Sequence, residues 1–272
     1  MHICKEDVNI DLTDYLFRSD AVKERVNIIS GSFYLPKDNI SKPEGDDAHF
    51  ICEEKQTIGI ADGVGGWTEK GVNAGEYARE LMINSVNALN TEPKGAVDPK
   101  RVLSQAHLNT KLPGSSTACL LSLNGNILRA VNLGDSGFMV IRNGEVFYKS
   151  QVQQHRFNHP YQLGQTLGDH PSSAMKIKLT MEAGDVIVVG TDGLFDNMFS
   201  DEILLWVTQE INQSSDPQMI AWKLAECALY NSLDKFADTP FARASRENGG
   251  NHHGGKRDDI TVIVALILQD YS

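Results

Sequence analysis

The sequence predicts an α+β fold, in which two antiparallel sheets pack face to face and helices cover their outer faces as a four-layer α-β-β-α sandwich. Strand-like apolar runs follow one another over residues 118–149, and two of the turns between them are Asn-Gly. Segments with helical spacing lie before and after these runs, and an almost wholly apolar strand closes the chain over residues 260–268. Strands grouped in this way, with helices around them, indicate the layered architecture.

One large domain is predicted. The 272 residues suffice for a substantial core, and no stretch has the composition of a linker between domains. The predicted division is an N-terminal extension over residues 1–27, the domain over residues 28–268, and a C-terminal tail over residues 269–272. A short helix is expected in the extension, around Leu12 to Phe17.

The first half of the domain begins with a predicted strand at Asn27 to Tyr34 and a hairpin over residues 46–61. Both segments contain apolar runs bounded by turn-forming residues. Asn73 can cap the helix that follows, because an asparagine side chain accepts a hydrogen bond from the first helical turn. Pro99 begins the next helix, since proline fits the first helical position.

Two further hairpins are predicted, one turning at Asn124-Gly125 and the other at Asn143-Gly144. Asn-Gly favours the tight turn that joins two antiparallel strands. The four strands are therefore expected to form one antiparallel meander. Residues 150–174 are rich in Gln, His, Gly and Pro, and an irregular excursion is expected there.

The last third of the domain is predicted to contain strands at residues 175–180 and 186–190, followed by two helices that Ser200 and Asp216 cap. Residues 234–257 are polar and glycine-rich. This composition predicts a long loop, of the kind that often carries function. The apolar run that closes the chain is expected to be a central strand.

Charge and cysteine spacing exclude several classes of function. The chain carries 25 basic and 36 acidic side chains, and the net charge of −11 has the wrong sign for holding nucleic-acid phosphates. The four cysteines are far apart and form no C-x-x-C pair, so neither a zinc site nor a disulfide framework is indicated. No apolar run reaches the roughly 18 residues of a membrane span.

The first 27 residues bear on the expected compartment. They mix acidic and basic side chains with an excess of acidic ones, unlike an acid-poor transit peptide. The sequence therefore predicts a soluble intracellular protein of the cytoplasm or nucleus. We expect a monomer.

Four aspartates stand where predicted strands begin or end: Asp46, Asp62, Asp192 and Asp258. Strand ends that are far apart in sequence can meet at one edge of a sheet, and Mg²⁺ or Mn²⁺ prefers a few carboxylates together with water. Four carboxylates in one cleft would need such cations. The alternative is that each aspartate ends its own turn on a solvated rim, as an ordinary Asp-Gly turn does.

Six segments together resemble the ordered motifs of the metal-dependent type-2C serine/threonine protein phosphatases. The resemblance covers about residues 28–268. The sequence around the paired glycines, with Val64 and Trp67, is similar to that of the branch that in eukaryotes includes mitochondrial and plastid phosphatases. A mitochondrion or plastid is therefore the second compartment that the resemblance suggests. The segments are Gly45-Asp46-Asp47-Ala48, Ala61-Asp62-Gly63-Val64-Gly65-Gly66, Gly114-Ser115-Ser116-Thr117-Ala118, Asn132-Leu133-Gly134-Asp135-Ser136, Gly190-Thr191-Asp192-Gly193-Leu194-Phe195-Asp196-Asn197 and Arg257-Asp258-Asp259-Ile260-Thr261-Val262.

The resemblance implies a centre of two Mn²⁺ or Mg²⁺ ions. Asp62 would bridge the two ions. Asp46 and the carbonyl of Gly63 would complete the coordination of one ion. Asp192 and Asp258 would hold the other.

The resemblance also implies a reaction, the hydrolysis of phosphoserine and phosphothreonine in a phosphoprotein substrate. A water or hydroxide activated by the two ions would attack phosphorus directly, without a covalent phosphoenzyme. Asp62 and Asp192 would be catalytic because they hold the ions. Asp47 would not bind an ion but would orient metal-bound water. Asp135 is a candidate ligand of a third, weaker ion.

Two departures from the family pattern affect the mechanism. Many members have a histidine after the Asp-Gly pair, with the implied role of protonating the leaving alkoxide, and this chain has Val64 there. His49, His252 or a metal-bound water is the alternative proton source. The arginine that usually precedes the first acidic pair and binds phosphate is also missing. Lys42 is the candidate substitute, with Lys37 also near, although Lys42 can equally be a solvated loop lysine.

Three other functions have some support in the sequence. Gly134-Asp135-Ser136-Gly137 resembles the nucleophile segment of trypsin-like proteases, but the glycine that should follow and the paired cysteines are missing. Residues 250–256 match G-x-x-x-x-G-K, but Arg257 stands where a Ser or Thr should bind Mg²⁺. The serious alternative is a phosphatase-like binding module that has lost activity, for which the missing histidine is the only support.

The phosphoprotein substrate is not identified by these motifs. In enzymes of this kind, specificity should depend on surface segments beside the site. The candidate segments here are residues 150–174 and 234–256.

Overall fold

The computed structural model describes residues 25–40, 42–166 and 168–270. The helix predicted at Leu12 to Phe17 and most of the predicted N-terminal extension lie outside the described residues. The strands within these ranges are β1 (Val26–Leu35), β2 (Asp47–Cys52), β3 (Thr57–Asp62), β4 (Ser115–Ser116), β5 (Ala118–Asn124), β6 (Ile127–Leu133), β7 (Gly137–Arg142), β8 (Glu145–Lys149), β9 (Gln154–Arg156), β10 (His159–Pro160), β11 (Leu163–Gly164), β12 (Met175–Thr180), β13 (Val186–Gly190) and β14 (Ile260–Gln269). The helices are α1 (Ala74–Leu89), α2 (Pro99–Asn109), α3 (Asp192–Phe195), α4 (Ser200–Asn212), α5 (Pro217–Leu233) and α6 (Pro240–Glu247).

Two five-stranded antiparallel sheets form the centre of the fold. The strand order is β1-β14-β13-β7-β8 in the first sheet and β12-β6-β5-β3-β2 in the second. The closing strand β14 is therefore central, as predicted. The sheets pack face to face through buried apolar side chains from both, among them Ile60, Leu121, Phe138, Val189 and Ile263.

Helices cover the outer face of each sheet. α1 and α2 pack on the second sheet through buried side chains such as Tyr77, Leu81 and Leu103. Helices α3, α4 and α5 pack on the first sheet through residues such as Ile203 and Leu224. The layers run α-β-β-α, which confirms the predicted α+β sandwich. Among the described residues, no helix combines the length and the apolar character that crossing a membrane requires.

Local capping signals set several helix starts. The side chains of Asn73 and Asp216 accept backbone N–H groups at the starts of α1 and α5, as predicted. Ser200 is the first residue of α4 rather than its cap. Phe199 occupies the cap position, and its N–H donates to the Glu202 side chain at 2.7 Å.

The predicted meander over residues 118–149 is wrong. Both Asn-Gly hairpins form, but β5 and β6 belong to the second sheet, whereas β7 and β8 belong to the first. The chain changes sheets at Gly134, which has a φ of +107°. A side chain there would collide with Thr117 and with the carbonyl of Tyr161, so this crossing requires glycine.

The prediction of one long loop over residues 234–257 is also wrong, because α6 occupies its centre. Thr239 caps this helix by accepting the N–H of Ala242 at 3.2 Å. Pro240 follows at the first helical position. The Thr-Pro pair is a helix-start signal that the glycine-rich composition of the segment obscured.

Candidate metal centre

The strand ends that carry the predicted aspartates meet at one end of the sandwich. Asp46 precedes β2, Asp62 ends β3, Asp192 follows β13 and Asp258 precedes β14. The structure therefore gathers these carboxylates instead of leaving each on its own rim. They line one cleft of about 380 Å³. The lining includes every residue with a predicted metal role: Asp46, Asp62, Gly63, Asp135, Asp192 and Asp258.

Backbone hydrogen bonds on both sides fix the position of Asp62. The N–H of Gly63 donates to the Asp46 carbonyl at 3.0 Å, and a Cβ at this glycine would collide with that carbonyl and with the backbone of Ala74. The N–H of Thr117 donates to the Asp62 carbonyl at 2.9 Å, and the Thr117 hydroxyl accepts the Asp62 N–H at 3.1 Å. These contacts hold the end of β3 so that the Asp62 side chain lines the cleft.

Asp46 is held by a lysine and by a second carboxylate. The buried Lys42 places Nζ 2.9 Å from Asp46 Oδ1 and 2.8 Å from the Thr68 hydroxyl. Asp259 accepts the backbone N–H groups of Asp46 at 2.8 Å and of Lys37 at 2.6 Å, which ties this loop to the start of β14. Lys42 lies beside Asp46 and is not among the residues that line the cleft. A phosphate-binding role for Lys42 stays a prediction.

Asp47 is buried and joins three strands. Its Oδ2 accepts hydrogen bonds from the hydroxyls of Thr191 at 2.9 Å and Thr261 at 2.7 Å. Burial and the nearby Asp259 raise the pKa of Asp47 well above its ordinary value. Asp47 thus holds β2 against the ends of β13 and β14. The aspartates at these strand ends, Asp46, Asp192 and Asp258, line the cleft. The role of Asp47 towards bound water stays a prediction.

Three carboxylates approach closely enough to share an ion. One oxygen each of Asp62, Asp135 and Asp192 lies within 4.8 Å of the other two. Burial and then repulsion by Asp192 raise the pKa of Asp62 well above its usual range and that of Asp135 to about 8. One buried oxygen of Asp135 and one of Asp192 have no hydrogen-bond partner among the described residues. Buried, mutually repelling oxygens without donors fit a hard divalent cation.

Lys256, for which the sequence predicted no role, brings a fixed cation into this group of carboxylates. Its Nζ lies 2.5 Å from Asp192, 2.7 Å from Asp196 and 3.6 Å from Asp258. Burial alone would lower the pKa of Lys256, but these three carboxylates raise it well above its ordinary value. Asp196 is a second residue of the site without a predicted role. Burial raises its pKa to about 6 despite the adjacent ammonium.

Asn197 fixes the loop that carries Lys256. Its side-chain amide donates to the Lys256 carbonyl at 2.9 Å, and its side-chain oxygen accepts the Lys256 N–H at 2.9 Å. The same amide donates to the Gly193 carbonyl at 2.9 Å. Asn197 ends one of the family-like segments and Lys256 directly precedes another, but their 59-residue separation gave no sign that they would meet.

The histidines considered as proton sources lie away from the cleft. His49 Nε2 is 3.0 Å from the Ser32 hydroxyl, and His252 Nε2 is 3.2 Å from the Gly255 carbonyl. Neither residue lines the cleft, and no other histidine does so in the part of the chain that the structure describes. Val64 does line it.

The raised pKa of Asp135 predicts a pH-dependent stability of the metal-free protein. In the fold this pKa is about 8, against an ordinary value of 3.8. The unfolded chain releases this proton near its ordinary pKa of 3.8, whereas the folded protein holds it up to about pH 8, so stability that is fully present below the unfolded pKa is lost progressively as the pH rises to about 8. In EDTA, we expect Asp135→Asn to raise the melting temperature at pH 8.5 relative to wild type, and by much less at pH 5. An equal difference at both pH values would contradict this.

Similarity to known proteins covers most of the chain. The family profile described as "Stage II sporulation protein E (SpoIIE)" matches residues 53–267. Over 96% of its length, the chain is 49% identical to "Probable protein phosphatase 2C 55" of Arabidopsis thaliana. The chain belongs to the protein phosphatase 2C family. It spans 58% of the length of this Arabidopsis phosphatase 2C.

Solved structures agree with the phosphatase 2C fold. The structure of the photosystem II phosphatase PBCP matches with a TM-score of 0.82 at 34% identity, over 88% of this chain and 98% of that one. The catalytic domain of the serine threonine protein phosphatase PstP, in complex with two manganese ions, matches with a TM-score of 0.62 at 20% identity, over 90% of this chain and all of that one. The second likeness concerns the fold alone.

Proposed function

We propose that this phosphatase 2C chain hydrolyses phosphoserine and phosphothreonine in proteins, with two Mn²⁺ or Mg²⁺ ions in the cleft and without a phosphoenzyme. The observation that carries the proposal is the approach of Asp62, Asp135 and Asp192 to within 4.8 Å in a cleft open to solvent. Carboxylate and carbonyl oxygens suit either ion. The PstP structure holds two manganese ions.

The proposed ligands are distributed over two positions. Asp62 would contact both ions, Asp46 and the Gly63 carbonyl would complete the coordination of one, and Asp192 and Asp258 would hold the other. Asp135 is a further candidate. When bound, such cations lower the pKa of water and neutralise charge on phosphoryl oxygens.

Two lysines among the described lining residues can act on a phosphate or on the carboxylates. Lys37 has a side chain that is 46% exposed and lies 3.6 Å from Asp258, so it can reach a phosphate at the mouth of the cleft. Lys256 is instead engaged by three carboxylates. Lys37 is therefore a better candidate than Lys42 for contacting substrate.

The lining of the cleft supports direct attack by water. Among the described residues that line it, none is a serine, cysteine or histidine, and the aspartates, which can also act as covalent nucleophiles, are the proposed metal ligands. Two hydroxyls are present, and both are engaged. The Thr68 hydroxyl accepts from Lys42, and the Thr117 hydroxyl accepts from Asp62 N–H and lies 2.6 Å from the Ser136 hydroxyl.

Chelation tests the proposal. EDTA should abolish the release of phosphate from p-nitrophenyl phosphate and from phosphoserine peptides, and Mn²⁺ or Mg²⁺ should restore both. Inhibitors of the okadaic acid type should have no effect, as the family resemblance implies. Activity that survives exhaustive chelation would indicate a covalent mechanism. No turnover with any metal would favour the inactive binding module.

Substituting Val64 tests whether a general acid is missing. A positioned acid contributes about 10²- to 10⁴-fold, and most where the leaving group is a poor one. A serine alkoxide needs the proton, whereas p-nitrophenolate leaves readily without it. We expect Val64→His to raise kcat/KM for a phosphoserine peptide more than for p-nitrophenyl phosphate. Equal effects on both substrates across pH would reject the missing acid.

A further inference from the structure

A second cavity opens beside the metal cleft. Its volume is about 250 Å³, and Asp135 and Asn158 line both cavities, so the two adjoin. Three phenylalanine rings contribute to its wall, those of Phe157, Phe195 and Phe241. Ligand pockets are typically lined by aromatic side chains with a few polar groups beside them, and this opening has that lining.

The aromatic wall joins the two segments on which substrate choice is expected to depend. Phe157 lies at the turn between β9 and β10, Phe241 lies in α6, and their ring centroids are 5.2 Å apart. The Phe241 N–H donates to the carbonyl of Asp196 at 3.0 Å, which anchors α6 to the metal-site loop. Asn158 takes the left-handed conformation that the tight turn needs, with a φ of 55°. These contacts fix the positions of the residues that line the cavity.

The charged groups at the wall determine which side chain fits. Lys149 Nζ lies 5.2 Å from the centre of the Phe195 ring and would repel a basic occupant. Asp135 also lines the cavity and would repel an acidic one. Asp196 lines it too, but its charge is already balanced by Lys256 at 2.7 Å. Aromatic faces between groups of opposite sign favour an apolar occupant.

We propose that this cavity binds an apolar side chain of the phosphoprotein substrate, of the size of leucine or phenylalanine, near the phosphorylated residue in sequence. The inference rests on the proposed function, because it requires the phosphorylated residue to occupy the adjoining metal cleft. Transfer of such a side chain from water to an aromatic wall is favourable. A suitably placed leucine should therefore raise kcat/KM roughly tenfold or more, mainly by lowering KM.

Phosphoserine peptides test this subsite when each flanking position is, in turn, serine, leucine, arginine or glutamate. At one position, leucine should exceed serine roughly tenfold in kcat/KM. Ala244→Trp, which fills the cavity, and Val152→Glu, which places a charge at its 56% exposed rim, should each bring this ratio towards one. The second variant changes a rim residue and keeps the test informative if the first does not fold. Glu247→Trp, at the exposed end of α6, is the matched control and should keep the ratio.

Three results would overturn the inference: equal rates for leucine and serine at every position, a leucine preference that survives both variants, or a preference for arginine. p-Nitrophenyl phosphate has no flanking residues, so its Mn²⁺-dependent hydrolysis shows whether the proposed function stands when the subsite fails. If no substrate is hydrolysed, the proposed function fails, and fluorescence anisotropy of the same peptides still compares leucine with serine. Equal affinities would then reject the subsite as well.

Discussion

Replacing Asp192 by asparagine is expected to lower kcat at saturating Mn²⁺ by at least about 100-fold, because losing one charged ligand removes several kcal/mol of charge stabilisation. Asparagine keeps the shape of the side chain. Lys256 keeps two carboxylate partners, Asp196 at 2.7 Å and Asp258 at 3.6 Å, so the fold should persist. Turnover of p-nitrophenyl phosphate, Mn²⁺ affinity by calorimetry and a melting curve provide the measurement.

The matched control for this variant is Asp201→Asn, at an exposed position in the first turn of α4. It makes the same chemical change away from the cleft and should keep wild-type turnover and Mn²⁺ affinity. Near wild-type turnover of Asp192→Asn at saturating Mn²⁺ would show that Asp192 is not a required ligand.

Replacing Lys256 by methionine is expected to destabilise the metal-free protein by about 3–5 kcal/mol, since buried carboxylates lose their fixed cation. The Lys256 side chain is only 15% exposed, so water screens this charge weakly. At about 2–4 °C per kcal/mol for a domain of this size, the melting temperature in EDTA should fall by roughly 6–20 °C. A bound divalent cation can replace the ammonium as counter-charge. Mn²⁺ should therefore recover much of the loss.

Lys223→Met is the control for this second variant. Lys223 forms an ion pair with Glu226 at 3.8 Å on the surface of α5, and such pairs contribute about 0–1 kcal/mol. Its melting temperature should change little, with or without Mn²⁺. An equal fall in the melting temperature of Lys256→Met in EDTA and in Mn²⁺ would contradict this prediction. It would show that the lysine stabilises the protein by packing the loop and not by neutralising the carboxylates of the cleft.

Much of the site could be predicted from single segments. A buried strand that ends in Asp-Gly places a carboxylate at a sheet edge, and this local pattern located Asp62 and Asp192. Asp46 and Asp258 stand beside predicted strands in the same way, the resemblance to ordered motifs of known phosphatases gave the four aspartates their separate metal roles, and the structure brings all four into one cleft. The match to the phosphatase 2C family confirms the resemblance. The individual metal-binding roles stay predictions.

Strand and helix positions followed from local chemistry, because turn residues, caps and apolar spacing act over a few neighbours. Sheet assignment did not, since the crossing at Gly134 depends on packing against Tyr161 and Thr117, which are distant in sequence. The charge partners of the carboxylates in the cleft could not be predicted from local sequence either. Lys256 reaches Asp192 and Asp196 across 64 and 60 residues. Nothing local to a lysine indicates which carboxylates the folded chain will place beside it, and only the tertiary contacts made this residue the counter-charge of the cleft.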